Sequence, residues 1–398
     1  MYTNNVKIND HMYYIGVNDR LTQLFENMWP LDHGIAYNAF LIKDEKTALL
    51  DTVKETGVET FLAGVRDTLD GRDLDYHVIH HMEPDHSGSI PALLAAYPNV
   101  QLVGNAKTKD MLMNFYEISD DNFLVVKEGD TLDLGTMSLT FYMTPMVHWP
   151  ESMVSYDPHY KVLFSQDAFG GFGCLDGSIF DDEINWDFYE SETIRYYVNI
   201  IGKFSTQVAR AIQKLKALDI EMICPDHGPI WRNNVSKIVD LYDDLSSQKR
   251  REGVIIIYGS MYGSTEKMAN FIGRALGQEG VKNVRIYDIS RTHPSYLLAE
   301  TWTYNGLILG SPTYNNDMFP LIKSFVSSLE GQKMKGVNMG VFGSYSWSGG
   351  GVKGLRAHAE DCKYNLIEPV IEFKSTPKAD DYEAALELAK AMAKAIKQ

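Results

Sequence analysis

The stretch "HHMEPDHSGS", His80 to Ser89, places three histidines and two carboxylates within seven residues and follows them with small, turn-forming residues. Such a segment cannot be buried without partners for its charges, and an ordinary surface loop has no need of it. Imidazole and carboxylate are metal ligands. His81, Glu83, Asp85 and His86 follow the apolar run "YHVI", which reads as a strand. Pro84 stops that strand from continuing, so the four side chains belong to a loop at its end, where they can converge. Two cations about 3.5–4 Å apart would balance the negative charge.

Further ligand types stand at the ends of later strands. "TPMVHWPES" supplies His148, "LFSQDAFGG" supplies Asp167, and "CPDHGP" supplies His227. A single histidine at a strand end is usually capped or solvated. Four histidines and three carboxylates at successive strand ends are not explained that way. His80 either orients a neighbouring ligand or is solvated, and His11, His33, His77, His159, His293 and His358 read as ordinary histidines.

A second set of residues suits a phosphate. "YGSMYGSTEKMA", Tyr258 to Ala269, lies between an apolar strand and a helix. It has no lysine before Ser264 and Thr265, so it is not a Walker A loop, and it lacks G-x-G-x-x-G. What remains is a nest of backbone N–H groups and hydroxyls at a helix N-terminus, fit for one terminal phosphate. Two later loops, "GSPTYNNDMFP" from Gly310 and "GSYSWSGGGVK" from Gly343, also follow apolar strands. Ligands bind at such strand ends in doubly wound sheets. Tyr314, Tyr345 and Trp347 can flank a flat ring there.

HxHxDH followed by a distant His, Asp and His is the ligand order of the metallo-β-lactamase fold. Glu83 replaces the second histidine here, giving H-x-E-x-D-H, and in this the chain resembles the flavodiiron proteins, or A-type flavoproteins. The resemblance implies a non-haem di-iron site. His81, Glu83 and His148 would bind one iron, Asp85, His86 and His227 the other, and Asp167 would bridge them. A carboxylate in place of an imidazole favours ferric iron, so Glu83 suits redox work rather than zinc hydrolysis. The three loops of the second half resemble the FMN site of flavodoxins. By that likeness Ser260, Met261, Tyr262, Gly263, Ser264 and Thr265 hold the phosphate. Pro312, Thr313, Tyr314, Asn315 and Asn316, with Ser344, Tyr345, Trp347, Gly349 and Gly350, line the isoalloxazine.

The family's activity is the reduction of O2 to water, of NO to N2O, or of both, for detoxification. Protons would come from water or a nearby tyrosine; Tyr196 or Tyr197 in "IRYYVNI" resembles the family's tyrosine beside the metals, and Tyr196 and Trp347 are the catalytic candidates. Position 25 is Phe25 in "QLFENMWP", a region where some members carry a histidine, so gas preference does not transfer. The resemblance also implies a head-to-tail homodimer or a dimer of dimers. Its electron donor is external, a rubredoxin or, as the alternative, a reduced deazaflavin. Two rivals stand beside this reading: a zinc hydrolase with an accessory flavin domain, and an electron carrier whose first half is inert. Glu83 and the complete ligand set argue against both.

The elements that must position these residues form two rhythms. Before about residue 250, strands such as "NVQLVGN", "MSLTFYMTP" and "EMICPDHG" mix with helices such as "GVETFLAGVRDTL" and a segment from Thr193 to Leu218. This predicts a layered α/β domain over 1–250, which the resemblance to the metallo-β-lactamase fold implies is αββα. "SSQKRREG" reads as a helix end and linker. Beyond it, over 251–398, five apolar strands alternate with helices, the pattern of a doubly wound parallel sheet, which the resemblance of its loops implies is flavodoxin-like. The whole is an α/β protein of 398 residues.

Composition narrows the partners. The net charge of −16 disfavours nucleic acid and anionic membranes. No apolar run approaches the ~18 residues of a membrane span, and the start of the chain carries no export signal. The three cysteines are far apart, without a CxxC pair, which argues against disulfides, an iron–sulfur cluster or a rubredoxin-type iron site. A reducing cytoplasm is the expected location.

Overall fold

The structure is a computed structural model and describes residues 5–118 and 121–397. The chain divides into two compact units, Met1–Asp243 and Asp244–Gln398. The division falls within the helix Val235–Ser246, and the next strand begins at Arg251.

In the first unit two sheets face each other. One has seven strands in the order Val6–Lys7, Met12–Tyr14, Phe40–Lys43, Thr47–Leu50, Tyr76–Val78, Gln101–Gly104 and Phe123–Val125. The other has five: Thr131–Asp133, Ser138–Met143, Met153–Asp157, Val162–Gln166 and Met222–Pro225. Alternate residues of both sheets share one core, with Phe40, Ile42 and Leu50 from the first and Leu139, Phe141 and Phe164 from the second. Helices such as Val58–Leu69, whose buried residues include Phe61, Val65 and Leu69, cover the outside. This is the αββα arrangement that the resemblance to the metallo-β-lactamase fold implies.

The second unit is a parallel sheet ordered Val284–Asp288, Arg251–Tyr258, Tyr304–Tyr314, Asn338–Tyr345, Asn365–Lys374. Numbered along the chain this is 2-1-3-4-5, the flavodoxin-like order. The run Val254–Ile257 is buried throughout. Val254 and Ile256 pack with Met268, Ile272, Leu388 and Met392 of two helices. Ile255 and Ile257 point to the opposite face, so both faces of the sheet are covered.

The structure corrects some expectations. The segment from Thr193 to Leu218 is not one helix. A helix Trp186–Tyr196 begins earlier, because the Asn185 side chain accepts from Asp187 N and caps it. It then widens over Tyr197–Ile201, tightens at Gly202–Phe204, and restarts as Ser205–Leu215. The histidine cluster is not a plain loop, since Pro84–Ser87 form one helical turn with proline at its start. The helices Pro294–Thr303 and Gly351–Asp361 escape the sequence pattern, the second because glycines at 349, 350 and 351 open it. So do the two- and three-residue strands before residue 40, which only their partners define.

Candidate metal centre and phosphate-binding pocket

Every ligand type singled out in the first unit follows the carboxyl end of a strand: His81 after Tyr76–Val78, His148 after Ser138–Met143, Asp167 after Val162–Gln166, and His227 after Met222–Pro225. The helical turn carrying Asp85 and His86 is pinned by hydroxyls. Thr52 Oγ1 donates to the His86 carbonyl at 2.6 Å, Ser87 Oγ to that of Met82 at 2.9 Å, and Ser89 Oγ to that of Val53 at 2.7 Å. These bonds explain the small residues of the motif. His80 is neither ligand nor solvated. It is buried, with Nδ1 2.6 Å from Asp51 Oδ2 and Nε2 2.8 Å from Ser155 Oγ. Asp51 follows the strand Thr47–Leu50 of one sheet and Ser155 lies in Met153–Asp157 of the other, so His80 is a strut between them.

The ligand side chains converge in two groups. Donor atoms of His81, Glu83, His148 and Asp167 all lie within 4.8 Å of one another, and so do those of Asp85, His86 and His227. Asp167 stands between the groups. Its Oδ2 is 3.3 Å from His81 Nε2 and 2.9 Å from His148 Nε2, while its Oδ1 is 3.1 Å from His86 Nε2 and 3.4 Å from His227 Nε2. Imidazole nitrogens also face each other, His81 and His148 at 3.3 Å and His86 and His227 at 3.0 Å. Bonds of about 2.0–2.2 Å to a shared cation produce such ligand-to-ligand edges.

The chemistry of the donors fits metal as well. Both carboxylate oxygens of Asp85 and of Asp167 are buried without a hydrogen-bond partner, an arrangement that a cation satisfies. Burial pushes the His86 imidazole down, but Asp85, Asp226 and Asp167 overcome it and raise it to about 10. His148 rises likewise to about 9, against burial, through Asp167 and Glu83. Burial alone would raise the Asp167 carboxyl, yet His81 and His86 hold it well below the usual carboxylate range. The centre of the cluster therefore favours positive charge.

Around the ligands lie residues that the sequence did not single out. Asn38 is fully buried, and its Nδ2 donates to the carbonyls of Pro225 and Gly228, both at 2.8 Å, fastening the turn that carries His227. Glu151, three residues after His148, accepts from His81 Nδ1 at 2.9 Å. Tyr37 packs edge-on to His227 at 5.7 Å. Phe25, which the sequence did single out, does the same at 5.8 Å, from a short hairpin of Leu24–Phe25 and Trp29–Pro30. Spacing from a ligand could have found Glu151; nothing local marks Asn38.

The two candidate tyrosines separate. Tyr196 is fully buried, its ring 5.4 Å from that of His227 and its hydroxyl without a partner. Burial, then Asp167, pushes that hydroxyl well above its usual range. Tyr197 packs on Tyr242 at 5.0 Å and shares a 2.9 Å hydrogen bond with Ser205 Oγ.

In the second unit a cavity of 250 Å³ is lined by Ser260, Met261, Tyr262, Ser264, Thr265, Pro312, Thr313, Ser344 and Tyr345, with Ser346 and Ser375. Of the anticipated residues, Gly263, Tyr314, Asn315, Asn316, Trp347, Gly349 and Gly350 are not among its walls. The helix Ser264–Gln278 starts at Gly263 (φ 88°) with no side-chain cap. Its first N–H groups are thus available to an anion. A Cβ on Gly350 would come within 2.2 Å of the Asn316 carbonyl oxygen, so two of the three loops touch backbone to backbone. Tyr262 and Trp347 are 95% and 91% exposed, and Tyr314 is also exposed.

Residues 35–228 match the ODP family beta lactamase and residues 256–388 match Flavodoxin. The chain is 34% identical over 395 residues to the rubredoxin-oxygen oxidoreductase of Megalodesulfovibrio gigas, covering 98% of each. It is 33% identical over 396 residues to the nitric oxide reductase of Moorella thermoacetica, again covering 98% of each. The crystal structure of the flavodiiron protein from Giardia intestinalis superposes with a TM-score of 0.95 at 26% identity, covering 100% of this chain and 98% of that one. The chain belongs to the flavodiiron protein family. The order of the domains in this flavodiiron protein, lactamase-like first and flavodoxin-like second, is the one its motifs anticipate. Among its described residues no helix is long and apolar enough to cross a membrane.

Proposed function

We propose that this flavodiiron protein is an oxidoreductase that reduces O2 to water, NO to N2O, or both, at a non-haem di-iron centre supplied with electrons by FMN. The observation that carries the reading is Asp167, whose two oxygens face two separate histidine groups, together with Glu83 beside His81 and His148. His81, Glu83 and His148 would hold one iron and Asp85, His86 and His227 the other, with Asp167 bridging. Such a centre, loaded with two ferrous ions and paired with a two-electron flavin, supplies the four electrons that O2 requires or the two that a pair of NO molecules requires.

The chain's own residues do the rest. Phe25 and Tyr37 pack on the His227 ring, and Phe172 backs Phe25, so this side of the centre is apolar. Tyr196 holds its proton on a hydroxyl with no competing partner, beside His227, where a reacting oxygen can draw on it. In the second unit the Ser260–Thr265 loop would take the phosphate of FMN and the cavity its ribityl chain. Pro312–Asn316 and Ser344–Gly350 would border the ring, flanked by Tyr314, Tyr345 and Trp347.

The electron donor is a rubredoxin, a reading supported by the name of the Megalodesulfovibrio relative. The working unit is a head-to-tail homodimer, and the exposed Tyr262 and Trp347 are apolar surface that a second copy would cover. The three unpaired cysteines support a cytoplasmic location. Purified protein, assayed anaerobically with reduced rubredoxin, tests the reading by the rates of O2 and NO consumption. Iron, zinc and FMN are measured on the same sample. Zinc in place of iron, or no consumption of either gas, would overturn it.

A further inference from the structure

The histidines of the centre are not held alike. His227 Nδ1 lies 2.8 Å from the carbonyl oxygen of Ala36, a neutral acceptor. His86 Nδ1 has no hydrogen-bond partner, and the Asp226 carboxylate stands 3.6 Å off. His81 Nδ1 alone among these three bonds to a carboxylate, Glu151 Oε1, at 2.9 Å.

Glu151 is itself tightly held. The same Oε1 accepts from Met82 N at 2.9 Å, so one oxygen clamps both the His81 ring and the backbone beyond it. The Glu151 carbonyl accepts from Asn105 Nδ2, and the Asn105 side chain caps the helix Ala106–Tyr116 through Lys107 N and Thr108 N. Trp149 stands edge-on to the His81 ring at 5.3 Å and 85°. Glu151 is buried, and its Oε2 has no partner. A carboxylate buried with one bare oxygen costs free energy, so its negative charge calls for a function that hydrogen bonding by Oε1 alone does not require.

We propose that Glu151 is a positioning residue that fixes His81 with Nε2 turned into the centre and lends that imidazole negative charge, making the two metal positions electronically unequal. The inference rests on the di-iron reading above. An imidazole that donates its second N–H to a carboxylate is a stronger electron donor than one bonded to a backbone carbonyl. The position served by His81 therefore favours the more highly charged, oxidised metal, and the position served by His86 and His227 the reduced one.

The test compares iron-loaded wild type, Glu151→Gln and Glu151→Ala. Three quantities are measured: iron per chain, iron affinity by chelator competition, and the midpoint potentials of the two irons by spectroscopically monitored redox titration. Glutamine keeps an acceptor oxygen for His81 and Met82 but removes the charge. Both irons should stay, and one potential should move upward while the other holds. Alanine removes the acceptor too, and should weaken one iron by about 10–100-fold; retention of that iron in the Gln variant is the rescue. A merely structural role would lower stability without moving one potential. Two irons at wild-type potentials in the Gln variant, or an equal shift of both, would overturn the proposal even if the Ala variant fails to fold. Wild type that binds no iron overturns the di-iron reading itself and the proposal with it.

Discussion

The ring of Tyr196 stands 5.4 Å from that of His227, and its hydroxyl has no hydrogen-bond partner. The adjacent Tyr197 spends its hydroxyl on Ser205 at 2.9 Å. Tyr196 ends its helix and Tyr197 opens the widened turn, and their rings diverge, the first to His227 and the second to Tyr242. Tyr196→Phe should lower turnover by about 10²-fold, the low end of what a positioned proton donor contributes, with iron and FMN content unchanged. Tyr197→Phe should leave turnover near wild type and cost about 1 kcal/mol of stability for the lost hydrogen bond. Stopped-flow oxidation of the reduced protein by each gas distinguishes the two, and equal rates for Tyr196→Phe and wild type would remove Tyr196 from the mechanism.

Glu83 lies 3.0 Å from His148 Nε2 and 3.4 Å from His81 Nε2. Glu83→Gln leaves the shape and removes the charge. The expected result is the loss of one iron per chain, with the second held by Asp85, His86 and His227. Elemental analysis beside flavin absorbance reads both cofactors at once. Full iron occupancy in this variant would show that Glu83 is not a ligand.

Gly350 meets the Asn316 carbonyl so closely that an added Cβ would sit 2.2 Å from it. Gly350→Ala must push two flavin loops apart. FMN affinity should fall by about 10-fold, equivalent to about 1.4 kcal/mol, while iron content stays constant. Fluorescence titration of the apoprotein with FMN measures it.

His77 is buried in the strand Tyr76–Val78, and burial pushes its imidazole down from 6.5 to about 4. The unfolded chain therefore binds this proton more readily than the folded one. Its contribution to stability is complete above about pH 6.5 and drains away as the pH falls to about 4. The gap between those values corresponds to about 3 kcal/mol. His77→Asn removes the titrating group, so its denaturation midpoint should decline less steeply than that of wild type between pH 7 and pH 4. Parallel curves would count against the assignment.

Much of this molecule is local and could be read from the chain. A strand followed by His81, Glu83, Asp85 and His86, and the buried run at Val254–Ile257 followed by the Ser260–Thr265 loop, announce themselves because ligand types, turn residues and apolar periodicity lie next to one another. A layered first domain and a doubly wound second one followed from that, and their lactamase-like and flavodoxin-like character from the resemblance those motifs carry. The tertiary structure alone decided the surroundings. Glu151 reaches His81 across 70 positions and Asn38 reaches Pro225 across 187. His80 became a strut only because Asp51 and Ser155 approach it from opposite sheets. Such contacts depend on how two sheets stack, a relation between distant segments that no local pattern of residue types encodes.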